Sequence, residues 1–117
     1  MQARLQQSVE SCSKSITQHP LKQAHANGSF DAYYSCGFVL QMAVDAAARR
    51  ASHGECGLAC VWRDFLAQVA AGKPWTSETF IAVAHKRTDE RTSKFLRTVV
   101  NEVVTQPQDV LREGLSP

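Results

Sequence analysis

The sequence predicts an all-α domain, an orthogonal array of five or six helices. Three observations lead there. Glycine and proline divide the 117 residues into pieces of helical length. No piece shows the strict apolar/polar alternation of a half-buried strand, and the apolar residues inside each piece recur at spacings of three and four. With 44% hydrophobic residues, the chain is long enough for one domain with a single core and too short for two, so residues 1–117 are expected to fold as one unit.

The elements follow in order. Leu5, Val9, Cys12 and Ile16 fall at helical spacing and set a first helix over Ala3–Ile16. The stretch from His19-Pro20 to Gly28-Ser29 reads as a connection, because the residue before a proline is driven out of the helical region. The longest helix runs from about Asp31 to His53 and ends on Gly54 as a left-handed cap. A third, about Leu58 to Ala71, carries Val61, Trp62, Phe65, Leu66 and Val69 on one broad face before Gly72 stops it. After the turn Lys73-Pro74-Trp75, Thr76 caps a fourth helix over Ser77 to about Lys86, with Glu78 in the first turn where the helix dipole favours an anion. Thr88, followed by Asp89 and Glu90, repeats that start signal for a fifth helix striped by Phe95, Leu96, Val99, Val100 and Val103. Pro107 closes it, and a last short helix lies near Gln108 to Glu113.

Charge excludes more than it identifies. Thirteen basic against eleven acidic residues leave a net charge of +2, far from the density that attracts nucleic acid or an anionic membrane. Basic residues gather late, at Lys86, Arg87, Arg91, Lys94 and Arg97, but Asp89, Glu90 and Glu102 interleave with them. That pattern reads as a solvated helix face and not as a helix-turn-helix reader of DNA. There is no run of about 18 apolar residues, and Met1 to Lys14 has neither a basic n-region nor an apolar h-region. The chain as given is expected to be soluble, with neither nucleic acid nor membrane as partner, and its compartment stays open.

Cys12, Cys36, Cys56 and Cys60 are even in number but lie in helical segments of a domain large enough to fold without staples, so they are expected to be free thiols, buried or idle. His19, His25, His53 and His85 are scattered, and none falls in H-E-x-x-H. The tightest cluster, His53-Gly54-Glu55-Cys56 with Cys60, crosses a glycine-containing helix junction at no usual ligand spacing and reads as a surface turn beside a buried thiol. No metal ligand is therefore assigned in the chain. There is no G-x-S-x-G elbow and no local cysteine signature; a lowered thiol pKa at a helix start such as Cys36 does not make a nucleophile.

The second helix holds the most informative stretch, Tyr33 to Arg50. Residues three and four apart share a helix face, so Tyr34, Phe38, Met42, Asp45 and Arg49 form one stripe, apolar at its start and charged at its end. Gly37 interrupts this helix at a cost of up to about 1 kcal/mol relative to alanine and invites close approach of another backbone or element. Tyr34-x-x-Gly37 is followed by Asp45 and Arg49, an amphipathic helix, a Gly72-x-x-Trp75-Thr76 turn and a short helix bearing Phe80.

This succession, from about His19 to Phe95, resembles the helical C-terminal part of the catalytic domain in gluzincin zinc metallopeptidases of the aminopeptidase type, above all the glycyl aminopeptidase-like branch. The resemblance implies a role for Tyr34. In such enzymes the tyrosine of Y-x-x-G donates a hydrogen bond to the oxyanion of the tetrahedral intermediate, opposite the zinc, as a neutral donor aimed at charge that arises only in the transition state. Tyr33 would point about 100° away around the helix and suits the role less. Asp45 and Arg49, acid first and four apart, imply a structural ion pair. The chain also departs from the pattern. Cys36 stands where a polar or charged residue is expected, and the H-E-x-x-H motif and the following glutamate, which supply zinc and general base, are absent.

The resemblance thus implies a C-terminal lobe, a fragment of a larger catalytic domain, silent by itself, with zinc and a peptide substrate belonging to the full-length parent. It also implies a surface around Tyr33, Tyr34 and Phe38 that is wetter than so apolar a face should be, or covered by a second copy of the chain. A non-enzymatic helical module that binds a protein partner in an exposed apolar groove is the other reading of the same residues.

Overall fold

The computed structural model describes residues 3–17, 19–23 and 31–116. Six helices form: α1 (Ala3–Ile16), α2 (Asp31–Ala51), α3 (Leu58–Ala70), α4 (Ser77–Arg87), α5 (Glu90–Asn101) and α6 (Pro107–Leu115), with one 3-10 turn at Leu21–Gln23 between the first two. Among the described residues there is no strand, and the fold is all-α. Most of the connection expected after His19 lies outside the described residues.

The fold is organised around α2, which touches every other helix. A helix of a four-helix bundle has only two or three neighbours, so this is an array wrapped on a central helix. The sequence of α2 allows it. Cys36, Val39, Leu40, Ala43, Val44, Ala47 and Ala48 are all buried, and the three alanines let neighbouring helices come close. Onto that arc pack Val9 and Ile16 from α1, Phe65 from α3, Ile81 from α4, Leu96 and Val99 from α5 and Leu111 from α6. Gly114 admits the ring of Phe95, which a β-carbon there would overlap, and so α6 seats against α5.

The helix ends show where local signals were read one residue off. The long helix stops at Ala51, and Gly54 (φ 87) is left-handed as expected, but His53 (φ 57) before it is left-handed too. His53 N–H donates to Arg50 O (3.4 Å) and Gly54 N–H to Arg49 O (2.7 Å), the paired bonds of a Schellman cap with histidine at its left-handed position. α3 ends with the same motif built on glycine: Gly72 (φ 105) donates to Val69 O and Lys73 to Gln68 O, both at 3.0 Å.

Thr76 caps α4, its side chain accepting from Thr79 N–H at 3.2 Å. The cap of α5 is Asp89 and not Thr88, because the cap side chain must reach three residues on, and Asp89 Oδ1 accepts from Thr92 N–H at 2.7 Å. Thr88 instead closes the end of α4, where its hydroxyl donates to Ala84 O at 2.7 Å.

α5 ends at Asn101 with Glu102 extended, so helical spacing no longer places Val103, which is half exposed. Val104 is buried instead, and its N–H donates to Ile16 O at 3.0 Å, satisfying a carbonyl that the end of α1 leaves open. Leu66 likewise leaves the expected apolar face of α3 and is half exposed. Pro107 opens α6 as its first residue, where a missing N–H costs nothing.

The cysteines are not free thiols. Cys12 and Cys36 form a disulfide joining α1 to α2, and Cys56 and Cys60 form a second across the start of α3. The size of the domain, on which free thiols were expected, says nothing about which sulfurs packing brings together. The α1/α2 contact places the Cys12 and Cys36 α-carbons 4.8 Å apart, inside the range a disulfide spans.

Candidate functional site

The stripe read from the sequence is the outward face of α2. The buried arc of the helix runs through Cys36, Ala43 and Ala47, and the opposite side carries Tyr34, Phe38, Met42, Asp45 and Arg49. Tyr34 is 80% exposed and Tyr33 40% exposed, while Phe38 and Met42 are half buried. Of the two tyrosines, Tyr34 stands clear of the fold, as the rotation of about 100° between successive helical residues requires.

Around Tyr34 lies a shallow depression of about 400 Å³, lined by Arg4, Ser8 and Ser11 of α1 and by Tyr34, Ser35 and Phe38 of α2. The Cys12–Cys36 disulfide holds its two walls together. Apart from its chain neighbours and the nearby backbone of α2 itself, no atom of the described residues lies within 4 Å of the point where a β-carbon on Gly37 would be. The close approach expected at this glycine is therefore not made by the described part of the chain.

At the far end of the stripe, Arg49 Nε sits 3.0 Å from Asp45 Oδ2, the expected pair, and Asp45 Oδ1 also accepts from Leu58 N–H at 2.8 Å. The pair thus ties α2 to the start of α3.

A second concave region was not anticipated as such. Leu40, Gln41, Trp62, Trp75, Phe80 and Leu96 line an apolar groove of about 430 Å³. Trp62 is fixed there by its indole N–H, which donates to Gln41 Oε1 at 2.8 Å, and its ring lies 5.1 Å from Phe80. Trp75, in the turn before α4, stays 64% exposed. The aromatic residues were visible in the sequence; their convergence depends on how α2, α3 and α4 cross.

Among the described residues His85 and His19 are held in contacts between elements and along the chain. His85 Nδ1 lies 2.7 Å from Ser93 Oγ, a pairing missed in the sequence, but Ser93 is fully buried and its hydroxyl also bonds Asp89 O at 3.2 Å. A serine so enclosed is closed to substrate, and the contact ties α4 to α5. His19 is buried with Nδ1 3.2 Å from Pro20 O. His25 lies outside the described residues. Cys56 and Cys60 are bonded to each other, which removes the thiolates that the His53–Cys60 cluster offered.

Among the described residues no three His, Cys, Asp or Glu side chains converge as a metal ion needs. The zinc that the family resemblance implies belongs to an H-E-x-x-H segment of the full-length parent, which this chain does not carry. Of the late basic residues, Arg87 is tied to Asp64, and Arg91 donates to Glu113 O. The Arg87 hydrogen bond holds the Asp64 carboxyl below the usual carboxylate range. Among the described residues no helix is long and apolar enough to cross a membrane. Neither a protein-family model, a curated protein nor a solved structure matches the chain.

Proposed function

We propose that this domain is the C-terminal helical lobe of a zinc-dependent, aminopeptidase-like metallopeptidase, lining the substrate cleft and presenting the Tyr34 hydroxyl to the oxyanion. The observation that supports it is the 80% exposure of Tyr34 on a face of α2 that the described helices leave open. A single exposed aromatic is ordinary. One standing a turn before an interior glycine, with no described side chain outside the adjacent residues within 4 Å of that glycine's β-position, is a face suited to meeting something beyond these residues.

The role asks little of the chain beyond position. Tyr34 must hold a neutral donor where charge will develop, and it projects from the most packed helix of the fold, anchored two residues on by the Cys12–Cys36 disulfide. The general base and the metal belong to other residues, and the isolated chain is inactive. Peptide substrate meets the lobe only in the assembled parent.

The test begins with the reading frame that encodes the chain and with proteins that copurify with it. An H-E-x-x-H segment in the same protein or in a stable partner is the expected finding; absence from both overturns the proposal. In the assembled peptidase, Tyr34→Phe should lower kcat by about 100- to 1000-fold, the loss that follows removal of one oxyanion donor. KM should change little, because the bond is made mainly in the transition state. Tyr33→Phe is the control and should be mild. Turnover within about threefold of wild type for Tyr34→Phe, far below that loss, reduces the tyrosine to a surface residue.

The groove holding Trp62 and Trp75 favours a second reading, a non-enzymatic module that takes an apolar partner segment into it. Under that reading Trp75→Ala abolishes partner binding and Tyr34→Phe does nothing. A second copy of the chain packed on the Tyr34 face would appear as a concentration-dependent dimer lost on Phe38→Ser.

A further inference from the structure

The two disulfides have opposite surroundings. Cys12 and Cys36 are fully buried between α1 and α2. Cys56 and Cys60 are partly exposed at the junction of α2 and α3. Cys56 lines a small cavity of about 170 Å³ whose walls include Ser52, Lys86, Arg87 and Thr88. Cys60 stands in the first turn of α3, and Arg63 Nη2 lies 3.5 Å from its sulfur.

We propose that Cys56–Cys60 is a thiol-exchange site for small anionic thiols of the glutathione class, attacked at Cys56 and released at Cys60. The incoming thiolate forms a bond to Cys56 Sγ as the Cys56–Cys60 bond breaks, and the electron pair leaves on Cys60 as a thiolate. A second thiolate then attacks the sulfur of the bound small thiol, a bond forming between the two small thiols as the bond to Cys56 breaks and the electron pair leaves on Cys56 as a thiolate. Two small thiols become one disulfide, and the protein disulfide gains two electrons as two thiolates.

The direction of attack follows from what surrounds each sulfur. Exchange is faster when the departing thiolate is the better stabilised one. Cys60 has the Arg63 guanidinium beside it and stands in the first turn of α3, where the Asp45 carboxylate that shares the helix end is itself paired with Arg49, whereas Cys56 precedes the helix. Asp64, one turn beyond Cys60, has its charge taken up by Arg87. Lys86 on the cavity wall supplies the attraction for an anionic thiol at Cys56. The local backbone is held without the sulfurs: Cys56 N–H donates to Ser52 Oγ at 2.9 Å, and that hydroxyl bonds Cys56 O at 3.0 Å. Opening this bridge therefore leaves the junction in place. The buried pair has no comparable approach for a nucleophile.

The native, oxidised chain is incubated with reduced glutathione at neutral pH, quenched at intervals with N-ethylmaleimide and mapped by peptide mass. Cys56–Cys60 should open at least about tenfold faster than Cys12–Cys36, since access and leaving-group stability both favour it. The first adduct should carry glutathione on Cys56 and maleimide on Cys60. Arg63→Gln should slow the opening without lowering the melting temperature. Glutathione on Cys60, opening of both bridges together, no opening before the chain unfolds, free thiols at 56 and 60 in the oxidised protein, or an Arg63→Gln rate equal to wild type each overturns the proposal.

Discussion

The Asp45 carboxylate caps a helix to which it does not belong: its Oδ1 accepts from Leu58 N–H at 2.8 Å, thirteen residues further along the chain. Gly57 occupies the cap position before α3 and has no side chain to serve as a cap, so one of the orphan N–H groups at the helix start would lack a partner. α2 supplies the acceptor, and Arg49 orients it from one turn away with Nε 3.0 Å from Asp45 Oδ2. Gly57 is glycine for the same reason. A β-carbon there would overlap the Asp45 carboxylate and lie 2.8 Å from Arg49 Nε.

Asp45→Ala should therefore destabilise the chain by about 1–2 kcal/mol, the upper part of the range for losing a cap, although the residue looks like half of a surface ion pair. Asp45→Asn should cost less, since an amide oxygen can still accept from Leu58. Urea denaturation separates the two readings. If Arg49→Ala costs as much as Asp45→Ala, the ion pair and not the cap is what matters.

The two Schellman caps make an internal comparison. Gly72 and His53 hold equivalent left-handed positions, at φ 105 and φ 57, and only the histidine carries a β-carbon strained by that conformation. His53→Gly should raise stability by roughly 0.5–1 kcal/mol, and Gly72→Ala should lower it by at least about as much. Paired thermal melts of these variants check both signs. A destabilised His53→Gly protein would mean that the imidazole makes an interaction worth more than the strain.

The helices were legible because their signals are local. α1 and the Thr76 cap read to the residue, since spacing and capping act within one turn. What escaped depends on partners far along the chain: Cys12 with Cys36, Asp45 with Leu58, Trp62 with Gln41, His85 with Ser93. The stripe through Tyr34 and Phe38 could be drawn from helical spacing, but not its orientation. α2 is apolar on both sides, and only the packing of the other helices selects the arc of Val39, Ala43 and Ala47 for the core.

Asp89 gives the chain an acid-sensitive joint. The Thr92 backbone N–H, followed by the Thr92 side chain, holds the Asp89 carboxyl below the usual carboxylate range. A carboxyl depressed on folding contributes stability that is fully present above its unfolded pKa, about 3.9, and is lost as pH falls through the lower folded value. Asp89→Ala should cost about 1 kcal/mol at neutral pH. The gap between wild type and variant should shrink as pH drops below about 4. Denaturation midpoints measured from pH 7 downward test this, and a gap that stays constant into acid assigns the loss to packing.

Gly37 offers the most direct trial of whether the Tyr34 face is meant to be covered. It sits in the interior of α2, where glycine is less stable than alanine by roughly 0.5–1 kcal/mol, and no described side chain outside the adjacent residues lies within 4 Å of its β-position. In the isolated chain, Gly37→Ala should therefore raise the urea midpoint by an amount matching that gain. If an element of a larger protein packs on this face, the same methyl group stands in its way, and the assembled protein should lose activity or fall apart on gel filtration. The two measurements carry opposite signs only if the glycine is kept for an outside contact. Destabilisation of the isolated chain would place the contact within the chain itself, and a gain in both settings would leave the Tyr34 face with nothing to meet.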